Sequence, residues 1–235
     1  MSSLVLIPGL LCDQRLWSDQ VFALSKHAEV SVADITAHPT ISELATDILE
    51  KAPRQFSLAG FSLGSQVALE IMRVAKERVD RLALLSATHG GLMPAVETAI
   101  RCAIALIEEE GLDPYLEIAY PTYVTRSRAN DPRLKQVFVD MAHAVGEDAG
   151  LRQMRALLAI RTPFGDLDEI RCPTLIVGGR EDQRTTPAAH ELLKQEIPAS
   201  ELVIIDDAGH FSPIEQPHEV TQVLCDWITG TALHS

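Results

Sequence analysis

Phe56-Ser57-Leu58-Ala59-Gly60-Phe61-Ser62-Leu63-Gly64-Ser65 is the stretch from which the rest of this 235-residue chain is read. Phe56–Ala59 is a short apolar run of strand length, and a helical pattern begins near Ser65. Between them lies Gly60-Phe61-Ser62-Leu63-Gly64, a Gly-x-Ser-x-Gly pattern in the strand-to-helix context that gives it meaning. A chain turning that sharply holds its central serine in a strained conformation, and side chains two positions to either side would collide. Glycine is therefore needed at positions 60 and 64, and Ala59 and Ser65 widen the same clearance. The following helix aims its free N–H groups and positive dipole end at charge developing beside Ser62. Ser62 is thus a candidate nucleophile.

Working outward, further short apolar runs occur at Leu4–Ile7, Val30–Ala33, Leu82–Ser86, Thr174–Val177 and Leu202–Ile205. Several are continuous rather than alternating, as in parallel strands covered on both faces. Helical periodicity separates them: Leu16–Ser25, a capping box at Thr40–Glu43 leading into Leu44, Ile48 and Leu49, Val67–Val74, and Ile214–Ile228. The alternation predicts an α/β fold, a mostly parallel sheet of about six strands with flanking helices and right-handed crossovers. It is interrupted once. Residues 89–164 show no convincing strand, only helical patterns broken by Pro94, Gly111, Pro114, Pro121, Pro132 and Gly146, clearest over Ala95–Glu110 and Asp148–Ile160. Inserted just beyond a strand's carboxyl end, where open α/β sheets bind ligands, this block reads as a helical lid. Residues 1–88 and 165–235 then form the core.

A serine hydroxyl needs a base to remove its proton. His210, in Ala208-Gly209-His210-Phe211, follows the last apolar run and reaches the sheet edge that carries Ser62. His27, His38, His190, His218 and His234 fall on helices, turns or the tail and read as solvated surface groups; His89 and His143 lie in or near the inserted block. The base in turn needs a carboxylate to fix its tautomer. Asp182 follows Thr174–Val177 through Gly178-Gly179-Arg180-Glu181, one strand before the histidine loop; Glu181, Asp206 and Asp207 are the rivals. Chain order becomes Ser, Asp, His.

Composition removes other classes. A formal net charge of −13 disfavours nucleic acid or an anionic membrane as partner; a small-molecule substrate is expected, though the charge itself points to none. Cys12, Cys102, Cys172 and Cys225 are scattered without metal or disulfide spacing, and no His-x-x-x-His pair occurs, so neither a metal nor another cofactor is expected. The Leu4–Leu11 run lacks a basic flank and an Ala-x-Ala site, and no stretch is long enough to span a bilayer; a cytoplasmic protein is expected. His89-Gly90-Gly91 reads as a hinge into the inserted block, Cys12 as a small buried thiol, Glu108–Glu110 as a solvated helix end. Arg126, Arg128 and Arg161 have the chemistry to hold a substrate carboxylate but read as surface residues.

Together these motifs resemble the α/β-hydrolase superfamily, in particular its small bacterial esterase, lactonase and carbon–carbon hydrolase branch, over nearly the whole chain. Pro8-Gly9-Leu10-Leu11, followed by Trp17, matches the loop in which relatives carry His-Gly; Asp34, Cys172-Pro173-Thr174 through Asp182, and Gly209-His210 with Glu215 and Pro217 match further patterns. The resemblance implies that Leu10 and Leu63 supply backbone N–H groups to an oxyanion hole. Pro8 departs from the usual histidine, altering the loop's hydrogen bonding. The first strand starts at Leu4, so the family's leading antiparallel hairpin is expected to be missing, leaving an edge either covered by a homodimer partner or simply left short. The implied activity is hydrolysis of a carboxylic ester or lactone through an acyl-enzyme. The alternatives are a carbon–carbon hydrolase or lyase using the same residues, or a ligand-binding receptor of this fold.

Overall fold

The computed structural model describes residues 2–88, 94–160 and 167–231. Six strands form one sheet: β1 Ser2–Ile7, β2 Ala28–Val32, β3 Phe56–Phe61, β4 Val79–Leu85, β5 Thr174–Gly179 and β6 Ser200–Ile205, in the order β2-β1-β3-β4-β5-β6. All pairings among the described residues are parallel. Burial explains the sequence pattern: every residue of β3 and β5 is buried, whereas the edge strand β2 alternates. Each anticipated strand is present within a few residues.

Register fixes what stands together at the carboxyl edge. Ile7 at the end of β1 lies beside Gly60 in β3, Gly60 lies beside Leu84 in β4, and Val177 of β5 lies beside Val203 of β6. The connections from the ends of β1, β3, β5 and β6 therefore emerge side by side, each from a different part of the sequence.

Helices α1 Ser18–Leu24, α2 Ile41–Lys51 and α3 Leu63–Ala75 follow the first three strands. The Thr40 hydroxyl caps α2 by accepting from Glu43 N–H at 3.2 Å, while Glu43 Oε2 accepts from the same hydroxyl at 2.7 Å instead of reaching back to the Thr40 amide. Between β4 and β5 lie α4 Pro94–Glu110, α5 Leu112–Ala119, α6 Pro132–Val145 and α7 Glu147–Leu158. Gly111 (φ 87°) and Gly146 (φ 83°) make the sharp breaks between consecutive helices, and Asp131 caps α6 ahead of Pro132. The chain closes with α8 Pro187–Glu196, the short α9 Ser212–Glu215 and α10 Pro217–Thr229, which packs on α1.

Candidate active site

Ser62 stands between the end of β3 and the first turn of α3 with φ 52° and ψ −111°, a sparsely populated conformation for a residue bearing a Cβ. Such strain costs on the order of 1–3 kcal/mol and persists only where the surroundings hold it. Here Ser62 N–H donates to Leu85 O (2.9 Å), and the Ser65 hydroxyl sits 2.6 Å from Gly60 O and 3.0 Å from Leu85 O. The flanking glycines make room. A Cβ on Gly60 would come 2.3 Å from the Gly64 carbonyl oxygen, and one on Gly64 would come 2.4 Å from that of Ile7. The second contact is with the end of β1, so Gly64 brings α3 against the loop that carries Leu10.

His210 arrives on the loop after β6, with Nε2 3.0 Å from Ser62 Oγ. Its Nδ1 lies 2.8 Å from Asp182 Oδ2, and both side chains are almost completely buried. An ionised carboxylate only accepts, so Nδ1 carries the hydrogen and Nε2 is left to accept a hydrogen bond from the Ser62 hydroxyl. Asp182 is itself held: Oδ1 accepts from the Arg184 and Thr185 amides at 2.8 and 2.9 Å, and Oδ2 from the Thr185 hydroxyl at 2.6 Å. Burial alone would raise its carboxyl; the His210 ring beside it and the Thr185 hydrogen bonds outweigh that and hold it well below the usual carboxylate range.

The histidine loop is clamped from below. Glu215 accepts from Gly209 N–H at 2.8 Å and from Thr125 N–H at 2.7 Å, while Phe211 N–H donates to Tyr123 O and the Ser86 hydroxyl to His210 O. Burial pushes the Glu215 carboxyl up, and the two amide hydrogen bonds pull against it. Gly179 allows the approach, because a Cβ there would lie 2.1 Å from the Gly209 carbonyl oxygen. Phe61 and Tyr123 pack against the imidazole, the Tyr123 ring edge-on at 5.3 Å, and Phe211 packs on both of them.

Leu10 lies in the loop after β1, two residues beyond Pro8, whose carbonyl oxygen a Cβ on Gly64 would approach to 2.5 Å. Cys12 N–H donates to Gly9 O (3.1 Å) and Leu11 N–H to Gln153 Oε1 (2.9 Å). Among the described residues, neither Leu10 N–H nor Leu63 N–H meets a protein acceptor. The site therefore pairs a serine and a base with two uncommitted amides, an arrangement suited to attack on a carbonyl and retention of the oxyanion.

Of the rival carboxylates, Asp206 is exposed and pairs with Arg180, and Asp207 and Glu181 are also exposed. Asp34 closes its own turn on Thr36 instead of joining the site. Arg128 is committed to Asp207 O and Glu215, Arg126 is exposed, and burial pushes the Cys12 thiol up, away from thiolate chemistry. His143 is exposed and pairs with Asp113. His190 overturns its surface reading: it is fully buried under Gly178, where an added Cβ would lie 2.5 Å from its ring. It stands three residues before Leu193 on the inward face of α8, the spacing that signals a shared helix face. Thr185 and Gln153 were not singled out in the sequence, and neither belongs to a recognisable local motif. His89, Gly90, Gly91, Arg161 and His234 lie outside the described residues.

The fold and this constellation define a class, the α/β hydrolases. The sequence profile of the alpha/beta hydrolase family matches residues 4–223, and the chain belongs to that family. A candidate carbamate hydrolase, RutD, of Pseudomonas savastanoi pv. phaseolicola is 28% identical, over 97% of this chain and 93% of its own. The pimeloyl-acyl-carrier-protein methyl ester esterase of Pectobacterium carotovorum subsp. carotovorum is 27% identical, over 94% and 92%. Among solved structures, a thermophilic esterase from Thermogutta terrifontis superposes with a TM-score of 0.86 at 25% identity, covering 99% of this chain and 91% of that one. The enol-lactonase of Burkholderia xenovorans LB400 shares the fold, with a TM-score of 0.85 at 24% identity over 97% and 92%. Hydrolysis is what these relatives have in common, and this chain is a hydrolase of the same family.

Proposed function

We propose that the protein is a serine hydrolase that cleaves a carboxylic ester or lactone through an acyl-enzyme. The observation that carries this reading is the continuous hydrogen-bonded chain from Ser62 Oγ through His210 to Asp182. Ser62 Oγ attacks the carbonyl carbon as its proton passes to His210 Nε2, and the oxyanion is held by the Leu10 and Leu63 amides. His210 returns the proton to the leaving alkoxide, then activates water to release the acid. Asp182 keeps the imidazole in the tautomer that can accept and stabilises the cation while it lasts. The names of the esterase and lactonase relatives agree with this carbonyl chemistry.

In this reading the helices between β4 and β5 act as a lid. Tyr123 and Phe138, both from that block, pack on Phe211 beside the imidazole, so the block forms one wall of the substrate space. The four free cysteines among the described residues suit a reducing compartment, and we place the enzyme in the cytoplasm. The direct test is a series of aryl esters and lactones of varied acyl chain, with labelling by a serine-directed phosphonate. One adduct on Ser62 and turnover abolished in Ser62→Ala are expected. Labelling at another residue, or undiminished turnover in Ser62→Ala, would remove Ser62 from its role.

A further inference from the structure

The loop after β1 has to present one amide to an oxyanion, and its conformation is not one that the chain adopts freely. Residues Gly9 to Cys12 make a turn closed by Cys12 N–H on Gly9 O. Of its two central residues only Leu11 has positive φ, at 55°. That places the turn in the type II class, in which the central peptide is flipped relative to the commoner type I and the third position favours glycine. Leucine there is strained, so something outside the turn must hold the flipped peptide.

Gln153 does so. It lies in the middle of α7, 142 residues away from Leu11 in sequence, and is completely buried. Its Oε1 accepts from Leu11 N–H at 2.9 Å, and its Nε2 donates to Ile35 O at 3.1 Å in the loop after β2. The Leu10–Leu11 peptide is gripped at its other end by the Cys12 thiol, 3.3 Å from Leu10 O. One turn earlier on α7, Gly150 permits the approach: a Cβ there would lie 2.5 Å from a Leu11 methyl. Next along, Arg152 donates from both Nε and Nη2 to Thr36 O. Of the amides of residues 10 to 12, two are therefore consumed by fixed partners and the third, on Leu10, is left free.

We infer that Gln153 is a positioning residue for the oxyanion site: by fixing the strained Leu10–Leu11 peptide it holds the Leu10 amide where the tetrahedral intermediate needs it. The inference rests on the acyl-enzyme reading above and adds a residue from the inserted helices to it. It also makes oxyanion stabilisation depend on α7 being seated on the core. Without Gln153 the turn relaxes towards negative φ at Leu11, and the Leu10 amide loses its aim. The substrate's ground-state contacts elsewhere are unaffected, so the loss falls on the transition state.

The test compares wild type, Gln153→Met, Gln153→Glu and Arg152→Ala with one aryl ester and one boronic acid that forms a tetrahedral serine adduct. Methionine matches glutamine in length and keeps the packing. Removing a whole oxyanion donor costs roughly 10²–10³ in kcat, and Gln153→Met is expected to fall about 10²-fold with KM little changed. Boronate affinity should fall in parallel. Gln153→Glu keeps an acceptor for Leu11 N–H but offers Ile35 O no donor, so both readouts should fall between those of Gln153→Met and wild type. Arg152→Ala, which removes a contact to Thr36 O but leaves Gln153 on the turn, should leave kcat and boronate affinity near wild type. Wild-type kcat and boronate affinity in Gln153→Met would overturn the inference, as would equal losses in Arg152→Ala, which would mean general anchoring only. Should Gln153→Met not fold, Gln153→Ala decides: wild-type kcat and boronate affinity in it overturn the inference, and a parallel loss of both with KM little changed supports it. A wild type that neither turns over ester nor is labelled at Ser62 fails differently, taking down the acyl-enzyme reading itself.

Discussion

Asp182 has every lone pair directed at a donor: two backbone amides on Oδ1, and the Thr185 hydroxyl and His210 on Oδ2. A carboxylate so surrounded, and held below its ordinary range, stays ionised through neutral and mildly acid pH, leaving the imidazole one available tautomer. Asp182→Asn keeps the shape but turns an amide N–H₂ or a weaker acceptor towards Nδ1. Turnover is expected to fall roughly 10⁴-fold, with KM changed far less. Asp206→Asn and Asp207→Asn alter exposed groups and should stay within about twofold of wild type. Steady-state kinetics on the three variants checks this; a collapse in either exposed variant with normal turnover in Asp182→Asn would transfer the role. That Asp182 and not Asp206 faces His210 was readable from strand order, because β5 and β6 are adjacent and parallel. The support from Thr185 was not, since a hydroxyl three residues downstream carries no periodic or motif signal.

At the scale of elements, the turn from β3 into α3 is where sequence and structure correspond most closely, because its geometry is paid for by residues contiguous in the chain. Gly64 extends that economy to a neighbour: its missing side chain is what lets α3 touch the end of β1. Gly64→Val must force a branched side chain against backbone that cannot rotate away. A destabilisation of about 1–3 kcal/mol is expected from overpacking, together with loss of turnover as the Leu10 and Leu63 amides separate. Thermal melting and activity assays read the two effects; unchanged melting with full turnover would refute the geometry. The helices between β4 and β5 were less legible. Helices α4 and α7 announce themselves by long apolar periodicity, whereas α5 has only eight residues and carries Pro114 in its first turn. Helix α6 fully buries only Phe138, Met141 and Ala142, with Leu134, Val137, Val139 and Val145 half-covered around them. The hold of Gln153 on Leu11 joins residues far apart in the chain, and no local pattern encodes it.

Across the whole molecule, buried titratable groups set how the fold meets acid. His190 is fully buried on α8, and neither ring nitrogen finds a partner in hydrogen-bonding geometry among the described residues. Burial therefore lowers its proton affinity from the ordinary value of 6.5, with nearby Asp182 opposing only in part. The sign follows from linkage. The unfolded chain binds the His190 proton more readily than the folded one, so its contribution is full above pH 6.5 and is lost as pH falls through the lowered folded value. Asp182 adds a second, more acid loss, because its depressed carboxyl contributes stability present above 3.8, its ordinary value, and lost below that. Replacing His190 by Leu removes the first loss and leaves the second. The melting temperature of wild type is expected to drop between pH 7 and pH 5 more steeply than that of His190→Leu, with the gap widening as pH falls. Melting curves at half-unit intervals, on Ser62→Ala backgrounds so that turnover plays no part, provide the comparison. Parallel profiles for the two proteins would show that His190 does not govern the acid sensitivity of this fold.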